Sequence, residues 1–431
     1  MYNNSNKFKL VLIGIFVFFI VVGILAFSTY RSSNTGNTTV EIKVWGTIDK
    51  TIFDKYIDTY KKSSNNQFSL SYIYKSLDTI DNELVEAIAT NNAPDAILIP
   101  HTLEKRYLDK VYMITSIPTR TFKDTFIQEA NDLYVQSDGI FALPFFVDPL
   151  VMYWNEDMFA SAGIAMPPSQ WTEFPLLTKT FSVSDSNANI TKSLTSFGEF
   201  QNVNNAKAIL SALILQAGSP IVSYSNGSFS SGLDYQSSTN VTVPTESALQ
   251  FFTDYSNPKK AVYSWNRSLP SSKMSFLSGD LAIYFGFASE YSDLKTKNPN
   301  LNFDVTMIPQ VVDSQTKKTY GELYGFSFLK SSQNVTAAFN LISTLTGADS
   351  ISQLVQVMDI APARKDLIST GSADFAKSVF YNSALISKGW IDPDSNKTNQ
   401  IFKDMVENVT TGKMSVKDSV SKANLEIENI L

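Results

Sequence analysis

Apolar residues recur along this chain at two spacings, about two residues and about 3.6, the periods of strand and helix. Val40, Ile42 and Val44 alternate with polar positions and predict a strand ending at Trp45-Gly46. Ile52, Phe53, Tyr56, Ile57 and Tyr60 then follow at helical spacing. In a second unit Leu84, Val85 and Ile88 mark a helix, Asn92-Ala93-Pro94 breaks it, and residues 95–99 form a short apolar strand. Helices alternating with short buried strands predict an α/β sheet covered on both faces. Ligands bind such sheets beyond the carboxyl ends of the strands, which makes residues 45–49 and 100–102 cleft loops.

Residues 140–155 are a long extended run interrupted by Pro144 and Pro149. Proline supplies no ladder donor, so this run is expected to leave one sheet and enter another, crossing between lobes. Thr172 is expected to cap a helix beginning Glu173-Phe174-Pro175, because proline is tolerated in a first turn. Residues 206–216 predict a very apolar helix ended by Gly218, and the Ser-, Asn-, Gly- and Thr-rich stretch 223–242 predicts a long loop. Further strands are expected at 281–286, 303–309 and 323–329, and helices at 335–345 and over most of 375–431.

Ahead of all this, residues 10–27 run for 18 positions without a charge, preceded by Lys7 and Lys9. At 1.5 Å per residue they span about 27 Å, close to the ~30 Å of a bilayer core. A cleavable signal segment usually has a shorter apolar region, so a retained anchor is the first reading and cleavage near Ala26–Ser28 the alternative. The flanking lysines put residues 1–9 in the cytoplasm and the domain outside, with 28–39 a polar stalk.

Composition sharpens this reading mainly by exclusion. The 431 residues exceed what one core usually serves, so two lobes are expected. The formal charge is −6, and both lysines ahead of the apolar segment make the remainder more acidic still. Such a body repels phosphate backbones, so nucleic acid is not an expected partner. The absence of cysteine excludes disulfides, thiolate metal sites, a cysteine nucleophile and a thioether-linked lipid. No metal or cofactor is expected, and the single histidine, His101, has no partners for a metal site.

Three stretches resemble the solute-binding proteins of ABC importers, in the maltose-binding-like family of carbohydrate receptors. They are DGIFALPFFVDPLVMYWNEDMFASAGI at 138–164 with PPSQWTEF at 167–174, FLSGDLAIYFG at 276–286 with KNPNLNFDV at 297–305, and APARKDL at 361–367. The resemblance implies a bilobal periplasmic-binding-protein-like fold of type II, with three crossings between two α/β lobes after the N-terminal helix. One lobe would hold 40–147 and 309–345, the other 150–305 and 348–431. It also implies hinge closure on a small ligand, a mono- or oligosaccharide, and delivery to importer permease subunits by a monomer that is not an enzyme.

Sugar recognition needs flat apolar faces and a few fixed polar groups. Strand ends nominate Trp45, Asp49 and His101. The resemblance adds Phe145, Phe146 and Asp148 on the first crossing, Trp265 in a cleft-facing loop, Ser289 and Glu290 after a strand, and Tyr324 and Arg364. Each has a structural alternative: hinge packing for the phenylalanines, a helix cap for Asp148, an ordinary surface role for His101 and an inter-lobe ion pair for Arg364. Two other functions stay open, a surface sensor or adhesion module without a transporter and a glycosidase using two carboxylates.

Overall fold

The computed structural model describes residues 40–64, 68–225, 227–236 and 242–431. The apolar segment 10–27 with its flanks lies outside them; among the described residues no helix is long and apolar enough to cross a membrane. Residues 42–431 form one compact unit.

Its centre is a mixed sheet. Strands β1 (Ile42–Gly46), β2 (Leu70–Tyr74) and β3 (Ala96–Pro100) run parallel, with β1 in the middle. Strand β4 (Leu143–Asn155) is thirteen residues long and buried along its whole length. Strands β5 (Ile283–Phe287) and β6 (Phe303–Thr306) flank its second part. Strand β7 (Gly321–Leu329) lies between β3 and the first part of β4, and the short β8 (Ala361–Pro362) pairs with that same part. Thus β4 belongs to two half-sheets at once, as its two prolines suggested. It does not break to do so: Pro149 stands opposite Gly321, and the ladder resumes with Leu150 N–H donating to the Tyr320 carbonyl at 2.8 Å. Each half-sheet with its helices is the core of one lobe.

The first lobe is sealed by α1 (Lys50–Ser64), whose Phe53 stacks on Tyr72 of β2 at 3.9 Å. The helical spacing read in the sequence is this buried face: Phe53, Tyr56, Ile57 and Tyr60 are buried while Ile52 is exposed. In the second lobe α2 (Ala206–Ala217) is buried nearly all round, which explains its lack of an apolar stripe. It ends at Gly218, whose φ of 109° lies where glycine carries no Cβ penalty. Two C-terminal helices, α3 (Ser395–Thr410) and α4 (Val416–Glu428), pack against each other on that lobe.

Two expectations need correction, and one strand was not anticipated. Part of 223–242 is a hairpin, with Val222–Ser225 antiparallel to Ser228–Ser231. Hydroxyls of Ser223 and Ser230 meet at 3.0 Å and the rings of Tyr224 and Phe229 at 4.8 Å, so cross-strand pairs outweigh a turn-like composition. Thr172 does not cap the following helix; the Glu173 carboxylate accepts from the backbone N–H groups of Ser169 and Gln170 at 2.9 and 2.8 Å. Strand β2 had no counterpart in the sequence reading, although the Ser63-Ser64-Asn65-Asn66 cluster ahead of it is a turn signal.

Candidate ligand cleft

Parallel β1 and β3 end at Gly46 and Pro100 on the same edge of the first half-sheet, and β7 brings Tyr324 beside Pro100. Register then pairs Tyr324 with Phe146 and Glu322 with Asp148. Positions two apart on a strand share a face, so two rings and two carboxyl groups form one patch where β4 passes between lobes. The rings of Phe146 and Tyr324 are stacked, 4.6 Å apart and within 14° of parallel. The Tyr324 hydroxyl donates to Glu322 Oε2 at 3.3 Å.

Asp148 Oδ1 accepts from Ser289 N at 3.0 Å, at the start of the short helical turn Ala288–Glu290 that follows β5. Burial pushes the Asp148 carboxyl up to about 8, against the bonds from Ser289, and the acidic Glu322 and Glu290 push the same way. Burial raises Glu322 as well. From the second lobe, Lys207 in the first turn of α2 faces this patch electrostatically, lowering Glu322 while opposing protonation of His101. Its Nζ donates to Asp392 Oδ2 at 2.6 Å and Thr398 Oγ1 at 2.7 Å, and it lies 5.3 Å from the Trp390 ring centre.

The sequence candidates separate into two groups. Phe146, Asp148, Ser289 and Tyr324 come together at the crossing. Trp45 stands near it at the end of β1, with Lys75 Nζ 4.0 Å from its ring centre. The loop after it is pinned by the Tyr72 hydroxyl, which donates to the Ile48 carbonyl at 2.7 Å and accepts from Ile48 N at 3.1 Å.

The others are engaged elsewhere. Asp49 caps α1, its Oδ1 accepting from Thr51 N at 2.8 Å. Phe145 is fully buried, edge-on to Tyr56 and Phe326. Trp265 is 1% exposed, inside the second lobe, its indole N–H bonded to Asn202 Oδ1 at 3.1 Å. Glu290 accepts from Asn205, the Phe287 N–H, Lys273 and Tyr284 at 2.7–3.0 Å. Arg364 pairs locally with Asp366 at 2.7 Å, not across the lobes. His101 is neither a surface residue nor a rim residue: it is fully buried, and its Nδ1 accepts from Leu323 N at 3.2 Å.

Sequence reasoning missed Glu322 and Lys207, and both carried a signal. Glu322 precedes Tyr324 by two and lies one residue ahead of the strand expected at 323–329; the strand starts at Gly321, so the two share a face. Lys207 is the only charged residue in an otherwise apolar helix. A hollow of about 560 Å³ lined by Asn155, Asp157, Met158, Lys192 and Asn298 lies at the far end of β4, away from the crossing.

A two-lobed α/β body with an aromatic and acidic patch on the strand joining its lobes is the architecture of a solute-binding protein. Residues 55–380 match the family of bacterial extracellular solute-binding proteins, and the chain belongs to that family. Among solved structures it is similar to a cyclo/maltodextrin-binding protein complexed with maltotetraose, at TM-score 0.73 and 13% identity, covering 92% of this chain and 98% of that one. It is also similar to the GacH receptor of Streptomyces glaucescens, described unliganded and with acarbose, at TM-score 0.70 and 14% identity, covering 91% and 98%. A third is the Thermus thermophilus maltotriose binding protein bound with maltotriose, at TM-score 0.67 and 15% identity, covering 90% and 99%. At these identities the likeness establishes the shared fold. No curated protein matches the chain.

Proposed function

We propose that this protein captures a carbohydrate, a mono- or oligosaccharide, between its two lobes on the outer face of a membrane and delivers it to the permease of an ABC importer. The observation that carries the reading is the crossing patch. The Tyr324 ring, stacked on the buried Phe146 ring, offers a flat apolar face, and Asp148 and Glu322 offer acceptors for hydroxyl groups beside it. Trp45 and Ser289 border the ligand from one lobe each, and Lys207, its three N–H groups held by Asp392, Ser395 and Thr398, contributes positive charge from the second. Family membership supports a binding role outside the cytoplasm, and the sugars named for the similar structures support the ligand class. The chain is read as a monomer held by residues 10–27, with lobes divided as the resemblance implies.

A melting screen of the protein against neutral mono- and oligosaccharides, polyols and peptides tests this. A ligand at 100 times its dissociation constant stabilises by about 2.7 kcal/mol, a shift of several degrees or less in a chain of this size. The expected result is a shift with one or more sugars that is lost in Y324A. A shift confined to peptides or another class overturns the carbohydrate assignment.

A further inference from the structure

Glu129 sits in the helix Gln128–Tyr134, which is tied to the first half-sheet by the Tyr134 hydroxyl donating to the Leu323 carbonyl at 3.2 Å. The segment facing it, 386–390, follows the helix Phe375–Leu385, which packs on β4 and β6. The Ser387 hydroxyl donates to Glu129 Oε2, the Gly389 backbone N–H faces the same carboxyl, and His101 Nε2 is buried with no hydrogen-bond partner. The Glu129 carboxyl and the unpaired His101 nitrogen meet at one place. A Cβ on Gly389 would lie 2.6 Å from His101 Nε2 and 3.0 Å from Glu129 Oε1, so only glycine permits this approach.

We propose that Glu129, His101 and Gly389 form a proton-controlled latch on the hinge between the lobes, engaged while both side chains are neutral and released when Glu129 ionises. The proposal rests on the two-lobed reading above and is independent of which sugar is bound.

Around Glu129 stand Asp132 and Tyr134 on its own helix, Lys388 and Ser387 on the facing segment, Tyr320 beside the crossing and His101 at the end of β3. Asp132 and Lys388 oppose each other and are themselves paired at 3.6 Å. Burial dominates and pushes Glu129 up to about 8, against the bonds from the Ser387 hydroxyl and the Gly389 N–H. Burial, followed by the charge of Lys207, presses His101 down to about 3.

The signs of the two groups differ. The Glu129 contribution is fully present below its ordinary 4.5 and is lost as pH rises through about 8. The His101 contribution is present above its ordinary 6.5 and is lost as pH falls through about 3. Between 4.5 and 6.5 release would only pass a proton from one group to the other, so pH has little leverage. From about 6.5 to 8 Glu129 acts alone, and the released population should grow about tenfold per pH unit.

The chain has no cysteine, so spin labels can be placed at V85C and M166C, sites 57% and 73% exposed on different lobes. Distances between the labels in the full chain are then read from pH 5.5 to 8.5 by pulsed electron resonance. One distance is expected up to pH 6.5, with a second population growing above it. In E129Q that growth should vanish, and in G389A the second population should be present at every pH. Should E129Q not fold, S387A serves: losing the donor to the carboxylate raises its pKa and enlarges release above pH 8. A distribution that ignores pH in the wild-type chain, or the same pH response in E129Q, overturns the latch. Either failure leaves the sugar reading standing, since the melting screen decides that separately.

Discussion

Two carboxylates reach the same short turn, Ala288–Glu290, and the protein treats them in opposite ways. Glu290 is saturated: Asn205 and the Phe287 N–H bond one oxygen, and Lys273 and Tyr284 bond the other. Asp148 receives bonds only from Ser289 and stands opposite a second carboxyl, Glu322. A saturated carboxylate is a brace that holds β5 to α2 and has nothing left to give a ligand. One with spare acceptor capacity beside a like neighbour is poised for groups that donate, which is what sugar hydroxyls do.

The comparison breaks most visibly on the brace. Glu290→Ala should cost about 3 kcal/mol, because Lys273, Tyr284 and Asn205 lose a common acceptor in a half-buried site. Urea unfolding measures it, and a loss below 1 kcal/mol would make the brace dispensable. Asp148→Asn is expected to change stability by less than ~1 kcal/mol near pH 6 yet weaken the best sugar from the melting screen about tenfold. It should also alter a pH profile. The Asp148 contribution is present below its ordinary 3.8 and lost as pH rises through about 8, so the wild-type melting temperature should fall towards pH 9 more than that of D148N. A profile equally steep in both proteins would remove Asp148 from the account.

Smaller effects mark the candidates that the structure assigns to other duties. Asp49→Ala should lose about 1 kcal/mol of stability as a missing helix cap, with sugar affinity unchanged by titration calorimetry. Arg364→Gln should stay within about 0.5 kcal/mol, since its partner Asp366 is local and half exposed. A large loss of affinity in either would return that residue to the site.

The fold was legible where periodicity and proline chemistry agree. The strand through Pro144 and Pro149, the helix stopped by Gly218 and the helix Val335–Leu345 follow from spacing and backbone constraints alone. The site was legible only along β4 and β7, because residues two apart on a strand must share a face. It was not legible where partners come from distant segments. Glu129 and Gly389 are 260 residues apart in sequence, and neither carries a motif. Trp265 failed for a related reason: a loop tryptophan next to Asn266 and Arg267 looks exposed until Asn202, from another segment, accepts a hydrogen bond from its indole N–H. Patterns along the chain report which face is buried and say little about which buried polar group finds a partner.

Strand β7 fills the slot between β3 and β4, and this sets a timetable for the growing polypeptide. Both neighbours are complete by Asn155, whereas the strand that joins them begins only at Gly321. At ~5–20 residues per second the ribosome takes roughly 10–30 s to bridge that distance. Throughout that interval two apolar strands offer bare edges to any other extended chain. A secretion route that delivers the polypeptide unfolded to the far side, with all of its strands already made, would spare it this wait.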